Sequence, residues 1–288
     1  MTFTPSKGDT HGNAQGDLQS LVRFFNEHHP LCVITGAGCS TNSGIFDYRD
    51  EEGNWKRPQP VLLDEFLKSL DARKRYWARS MLGWPRFSKA RPNNAHMAIK
   101  RLADHGFVSS VITQNVDDLH EACGQQYVIP LHGSLRTVTC VSCYAHFYRD
   151  DIQKRLEESN PLFVLAAVMP DAGGEGYYST RVDATFEVPQ CNVCGGVLKP
   201  DVVFFGGNID SNVKRVANEA IRKAQGVLVV GSSLMVYSSF RLVKLAHEYG
   251  IPVATLGFGV TRADSIASLT IRAEIGSTLE ELIGHLKV

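Results

Sequence analysis

Two pairs of cysteines, one histidine and a glycine-rich run hold most of the chemical potential of this chain. Cys140-Val-Ser-Cys143 and Cys191-Asn-Val-Cys194 are C-x-x-C knuckles about 47 residues apart. Each knuckle presents two thiolates from one turn, and two knuckles complete the tetrahedral sulfur set that suits Zn²⁺. With all four positions filled by Cys140, Cys143, Cys191 and Cys194, no position remains for water or substrate, so the expected ion is structural. A dithiol redox site would place a C-x-x-C at a helix start after a strand, and neither pair has that setting. The intervening segment is long for a zinc ribbon, but loop-closure entropy grows only logarithmically with length.

The stretch "GAGCSTNSGIFDYRD" (36–50) directly follows the apolar run "LCVIT". Gly36 and Gly38 would let backbone N–H groups approach a pyrophosphate at a tight turn after a strand. The hydride-transfer fingerprint is nevertheless broken. Its third glycine would fall at Thr41, and "NWKRPQP" stands where a ribose-binding carboxylate should close a second strand. The loop is therefore read as holding a nucleotide without hydride transfer. His132 ends "YVIPL" just before Gly133, and an imidazole with an ordinary pKa near ~6.5 suits general-base work. His120 is a second, weaker candidate. In "TQNVDDLH", Asn115 and Asp117 can bind a carboxamide or ribose, or serve as turn and cap residues. Ser232 and Ser233 can hold a phosphate or ribose hydroxyl, or cap the next helix. Cys32 and Cys39 read as small buried residues, and Cys39 has no base near it in sequence.

These residues need a scaffold that brings strand ends together. Candidate strands are 31–35, 107–113, 127–131, 226–230 and 252–256, with helical patterns between them, including one from 94 with Asn94 as N-cap. The alternation predicts an α/β fold, a Rossmann-like doubly wound parallel sheet whose carboxyl edge gathers the glycines, amides and hydroxyls. A smaller zinc-binding module and a helical insertion interrupt it. The expected division is a flexible tail over 1–19 and a catalytic domain over 20–288. Within that domain the core spans about 20–49, 93–134 and 198–288, the helical insertion about 50–92, and the zinc module about 135–197. The 288 residues are 43% hydrophobic and carry 30 basic against 30 acidic side chains. A zero balance gives no electrostatic footprint for nucleic acid or anionic membrane. No apolar run approaches the ~20 residues of a membrane span, and unpaired thiols suit a reducing compartment, so a cytoplasmic protein is expected.

Taken in order, "GAGxSxxSGIxDYR", "TQNVDxLH", "LHG", the two C-x-x-C pairs, "KPDVVFFG" and "GSSLxVYS" resemble the sirtuins, NAD-dependent protein deacylases. The likeness runs from about residue 20 to the C-terminus. "RKRYWARSMLGWPRF", "CGGVLKPDVVFFGG" and "LVVGSSLMVYS" look most like the class II branch. The resemblance implies two ligands, NAD and one structural Zn²⁺. It implies that the glycine turn of Gly36 and Gly38 cradles the pyrophosphate and that Ala37, Asp47, Tyr48 and Arg49 belong to a loop over the nicotinamide ribose. Gln114, Asn115 and Asp117 would surround ribose and nicotinamide, with Asn115 counted among the catalytic residues, and Gly231, Ser232, Ser233, Gly257 and Ile275 would meet the adenosine side. His132 becomes the base that deprotonates a ribose hydroxyl. The acyl-lysine oxygen attacks the ribose C1′ as nicotinamide leaves, His132 then helps the 2′-oxygen capture the acyl carbon, and water finally yields lysine and O-acyl-ADP-ribose. Val202, Val203, Phe204 and Phe205 resemble the segment that pairs with the substrate backbone.

The sequence departs from the family pattern at Phe46, usually Pro, at Cys39, usually Ile, at Gly257, where Asn is common, and at Gly207, usually acidic. None of these removes a reacting group. Tyr76 and Arg79 share a helical face, and the desuccinylase branch uses such a Tyr-x-x-Arg pair on an acyl carboxylate. The neighbouring Arg73, Lys74 and Arg75 also fit a solvated basic helix. Acyl-lysine proteins are the expected partners, and the oligomeric state is open. Mono-ADP-ribosyl transfer at the same site and a non-catalytic NAD-sensing zinc protein are the alternatives.

Overall fold

The structure, a computed structural model, describes residues 14–46, 60–163 and 185–288. The main sheet is built from β1 (Ala14–Gln15), β2 (Leu31–Thr35), β3 (Val108–Thr113), β4 (Val128–Pro130), β8 (Gly226–Val230), β9 (Val253–Leu256) and β10 (Leu269–Ile271). Their order is β1-β10-β9-β8-β2-β3-β4, and every pairing is parallel. Apart from the added edge strand β1, the sheet winds outward in both directions from a reversal between β2 and β8. In such sheets that reversal opens a crevice at the carboxyl ends of the strands.

The sequence explains why both faces are covered. β2 and β8 are buried at every position, as expected of parallel strands with helices above and below. Val33, Leu228 and Val230 pack toward α1 (Leu18–His28), α4 (Asn94–Asp104) and α9 (Ile275–Leu286). Cys32, Ile34, Val227 and Val229 pack toward α7 (Ser211–Lys223) and α8 (Tyr237–Glu248). In α1 the core face is Leu21, Phe24 and Phe25, at i, i+3 and i+4. Asp17 starts that helix by accepting the Ser20 N–H at 2.9 Å.

A third core lies outside this sandwich. α2 (Leu63–Lys68) and α3 (Leu70–Phe87) supply Phe66, Trp77 and Met81. They pack on α6 (Arg149–Ser159) and on an antiparallel sheet of order β6-β5-β7, made of β5 (Gly133–Cys140), β6 (His146–Tyr148) and β7 (Leu198–Val202). Cys140 and Cys191 belong to this core themselves while Cys143 and Cys194 are exposed, so the expected metal would sit at the edge of the packing.

Several expectations need correction. Residues 14–19, read as tail, hold an edge strand paired with β10 and the start of α1; a two-residue strand is too short to show periodicity. The cap of α4 is Asn93, not Asn94: its side chain accepts the Ala95 N–H at 2.9 Å, while its own N–H reaches His96 Nδ1. The zinc-side sheet overruns the predicted limits of 135 and 197, because β5 begins at Gly133 and β7 ends at Val202. β10 escaped notice for the same reason as β1. Among the described residues no helix is long and apolar enough to cross a membrane.

Candidate active site and metal centre

A cavity of about 830 Å³ opens where the sheet order reverses, between the ends of β2 and β8. Its floor is a crossing of two glycine turns. A Cβ on Gly36 would lie 2.7 Å from Ser232 Cβ, and one on Gly231, whose φ is +60°, would lie 2.5 Å from the Cys39 amide nitrogen. The glycines thus serve first to let two main chains touch. After Gly36 the chain makes two 3₁₀ turns, Ala37–Cys39 and Thr41–Ser43, rather than the start of an α-helix.

Behind this crossing, strand-end side chains tie the two halves together. Gln114 Nε2 donates to Thr35 O at 3.2 Å and to Ser232 Oγ at 2.8 Å. Asn115 Nδ2 donates to Gly36 O and to Ser40 Oγ, both at 3.0 Å, leaving its Oδ1 as the atom available to a ligand. Ser40 Oγ in turn donates to Asp117 Oδ2 at 2.7 Å. Asp117 also accepts the Leu119 N–H at 3.1 Å and is only 4% exposed; burial raises its carboxyl above the usual range. Asp117 is not the N-cap of the short helix that follows, which is Asp118; its bond to the Leu119 N–H is a local turn bond made from its place in the wall. Ser232 and Ser233 do not cap α8, which begins only at Tyr237; Ser232 Oγ instead accepts the Leu234 N–H.

His132 stands at the cavity with both ring nitrogens engaged. Nδ1 lies 3.0 Å from Gln114 O, which can only accept, so Nδ1 carries the proton and Nε2 the lone pair. Ser238 Oγ, 2.9 Å away, donates to that lone pair. Burial lowers the pKa of His132, partly opposed by the bond to Gln114, which favours the neutral imidazole a base requires. The His132 carbonyl accepts the Val203 N–H at 2.9 Å, so the residue adjoins the "DVVFFG" segment. Gly133, at φ +81°, lets β5 pass β7, since a Cβ there would lie 2.0 Å from Asp201 O.

The structure gathers the described candidates around one space. Gly36, Ala37, Gly38, Gln114, Asn115, Asp117, Gly231, Ser232, Ser233, Gly257 and Ile275 line it, and so do Val202, Val203, Phe204, Phe205, Tyr76 and Arg79. Asp47, Tyr48 and Arg49 lie outside the described residues. His120 is not in the wall; it is 1% exposed and bonds Thr35 Oγ1 at 3.1 Å. Of the basic run on α3, Arg73 is spent on Phe66 O and Leu67 O and Arg75 pairs with Glu65, whereas Arg79 reaches the cavity. Behind Ser80, another lining residue, Arg149 is fully buried between Trp77 and Trp84; it donates to Ser80 Oγ at 3.0 Å and keeps Nε and Nη1 without partners.

Sequence reasoning missed Ser40, Ser238 and Arg149. Only "VYSS" gave a signal for Ser238: one of its two serines, Ser239, turns inward to Val236 O, which leaves the other toward the cavity. Ser40 and Arg149 act through residues far away in the chain.

The two C-x-x-C knuckles converge as expected. Their four sulfurs lie within 4.8 Å of one another, with Cys140 3.5 Å from Cys194 and Cys143 3.6 Å from Cys191. Backbone N–H groups of Ser142, Val193 and Gly196 point at Cys140, Cys191 and Cys194 at 3.4 Å, the donors a thiolate wants. Backbone donation pulls Cys140 down to about 6. Cys143 also accepts from a backbone N–H, of Ala145, yet the surrounding sulfurs push it up to about 12. Four such thiols cannot all ionise without a cation between them, so the donor set fits one tetrahedral Zn²⁺. Neither Cys140 nor Cys191 lines the cavity, and the site is structural.

Comparison with known proteins agrees with this geometry. The Sir2 family model matches residues 36–238. NAD-dependent protein deacetylase 2 of Bradyrhizobium diazoefficiens is 45% identical over 271 residues, covering 94% of this chain and 99% of the relative. The NAD-dependent protein deacetylase of Xanthomonas campestris pv. campestris (strain 8004) is 48% identical over 262 residues, covering 90% and 89%. A solved structure described as Sir2-p53 peptide-NAD+ superimposes with a TM-score of 0.76 at 26% identity, covering 94% of this chain and 99% of that one. Glycine crossing, imidazole, substrate-strand candidate and tetrathiol module thus occur together over nearly the whole length, and the chain belongs to the Sir2 family.

Proposed function

We propose that this protein is an NAD-dependent protein-lysine deacylase of the class II sirtuin branch, which transfers the acyl group of acyl-lysine to ADP-ribose and releases nicotinamide and lysine. One observation carries the reading: a neutral imidazole, His132, presents its Nε2 lone pair at a cavity whose opposite wall is the glycine crossing. Relatives named as NAD-dependent protein deacetylases and a Sir2 structure holding p53 peptide and NAD+ support it.

In this reading NAD supplies the glycosidic bond that is broken and the ribose that takes the acyl group. The turn of Gly36 and Gly38 holds its pyrophosphate. Asn115 offers Oδ1 to the nicotinamide and its ribose, with its amide fixed by Gly36 O and Ser40 Oγ. Gln114 and Asp117 brace that corner, and Ser232, Ser233, Gly257 and Ile275 face the adenosine. Ala37, Asp47, Tyr48 and Arg49 cover the ribose, on the strength of the family resemblance. His132 removes a ribose hydroxyl proton once that hydroxyl displaces Ser238 from Nε2. Among the described residues β7 is an edge strand that pairs with β5, and beyond it Phe205 already bridges Leu62, so the stretch at Val203 and Phe204 is where a peptide can join as an added strand. Substrates are then acyl-lysine proteins, consistent with a charge balance of zero, and the setting is the cytoplasm.

Arg79 in the wall and Arg149 behind Ser80 place positive charge near the acyl end of the cavity, which favours chains with an acidic or bulky terminus. Incubating the protein with NAD and a panel of acyl peptides, beside His132→Ala, tests the whole reading. The expected result is nicotinamide release with stoichiometric O-acyl-ADP-ribose, the latter formed about 10²- to 10⁴-fold more slowly in the variant. Release without that product, with ADP-ribose on a protein side chain, would show a transferase instead.

A further inference from the structure

Cys39, His96 and His120 come from three separate elements, the 3₁₀ turn after β2, α4 and α5 (Leu119–Ala122), yet one ligating atom of each lies within 4.8 Å of the other two. All three residues are buried, at 1%, 0% and 1% exposure. We propose that they form a second metal site for a borderline ion such as Zn²⁺ or Co²⁺, separate from the tetrathiol site, and that filling it opposes NAD binding.

Hydrogen bonding prepares the donors. Thr35 Oγ1 gives its proton to Thr113 Oγ1, so toward His120 it must accept, which puts the imidazole proton on Nε2. His120 Nδ1 is then a bare lone pair, and among the described residues it has no partner. A buried acceptor left unmade costs about 1–3 kcal/mol, a cost that a metal ion would relieve. An imidazole whose far nitrogen is fixed by a neighbouring oxygen is the usual posture of a metal ligand. His96 has the same provision in latent form. Its Nδ1 lies 3.1 Å from Asn93 Oδ1, so moving the ring proton there exchanges the bond accepted from the Asn93 N–H for one donated to Asn93 Oδ1 and frees Nε2, which is otherwise 3.5 Å from Ser40 Oγ. Burial keeps both rings neutral, the form that ligates. The metal takes the place of the Cys39 proton, which is released to solvent. A divalent ion with the Cys39 thiolate and the nearby Asp117 carboxylate leaves no net buried charge.

The opposition to NAD follows from a shared neighbour. An ion would hold Cys39 and His96 at fixed bonds of about 2.0–2.3 Å. Cys39 adjoins Ser40 in the chain and His96 Nε2, the atom that would turn to the ion, lies 3.5 Å from Ser40 Oγ, so filling the site disturbs the hydroxyl that holds Asn115 and Asp117. By linkage, NAD must weaken the metal by the factor by which the metal weakens NAD. This last step rests on the NAD reading; the metal site itself does not.

The test uses the full chain with one Zn²⁺ already bound at the four cysteines, titrated with Co²⁺. The expected result is one further equivalent with thiolate-to-cobalt charge-transfer absorption, weakened about tenfold or more in Cys39→Ser and in His120→Asn. Saturating NAD should weaken Co²⁺ uptake, and Zn²⁺ should inhibit nicotinamide release in the parent more than in Cys39→Ser, each compared with its own metal-free rate. No uptake beyond one ion per chain, or equal uptake by both variants, overturns the site. Uptake indifferent to NAD overturns the coupling and leaves the site standing.

Discussion

The two thiol clusters of this protein contain the same reactive atom in opposite surroundings. At Cys140, Cys191 and Cys194 backbone amides point at sulfur, and Cys143 and Cys194 are exposed. At Cys39, among the described residues, no amide reaches the sulfur, and burial alone pushes the thiol far up, with the Asp117 carboxylate adding to it. One backbone is shaped to make thiolate and the other to keep thiol. The first cluster is therefore ready for a cation as folded, while the second must give something up to take one.

The largest effect that sharpens this contrast is removal of the first ion. Structural zinc is worth about 10–16 kcal/mol in small peptides, comparable with the stability of a whole domain. Chelation, or Cys191→Ala, should melt the third core and expose Trp77, together with Trp84 buried against Arg149, seen as a red shift of tryptophan emission. Cys39→Ser should leave that emission unshifted, and an equal red shift in both would erase the distinction. Next in size is His132→Ala, expected to lower acyl-peptide turnover about 10²- to 10⁴-fold, with NAD binding retained by calorimetry.

A smaller effect concerns pH. His132 has a lowered pKa, so it stays neutral and competent until the pH falls below the ordinary ~6.5, and the acid limb of kcat/KM should lie under that value. The unfolded chain protonates this residue first, so the same group contributes stability above ~6.5 that is lost as pH falls toward its folded pKa. Ser238→Ala deletes a donor that favours the neutral ring and should move the acid limb slightly upward. An unmoved limb would mean that the Ser238 contact does not tune the base. The smallest effect is expected from Arg79→Ala: a loss confined to acidic acyl peptides, with acetyl peptide unchanged. Equal losses on both, measured as kcat/KM, would remove Arg79 from acyl recognition.

How much could be read from sequence follows the same division. The tetrathiol centre was legible because each knuckle is a local turn with fixed spacing. Gln114, Asn115 and His132 were legible because each directly follows a strand, and strand ends share one edge. The roles of Ser40, Ser238 and Arg149 were not, since each depends on a partner reached only through the fold: Asp117 for Ser40, His132 for Ser238, Ser80 for Arg149. The proximity of Cys39 to His96 and His120 was hidden for the same reason. β1 and β10, of two and three residues, offer too few for any period to show, and β4, also of three, was legible only because the apolar run "YVIPL" extends past its ends.

At the crossing of the two glycine turns, main chain meets main chain, and a Cβ on Gly231 would stand 2.5 Å from the Cys39 nitrogen and 2.7 Å from the Gly38 carbonyl carbon. There is no bulky neighbour whose trimming could make room. In a genetic screen, inactivating alleles at Gly231 should consequently lack local suppressors, unlike lesions in the aliphatic layers, where a smaller residue across the gap can compensate a larger one.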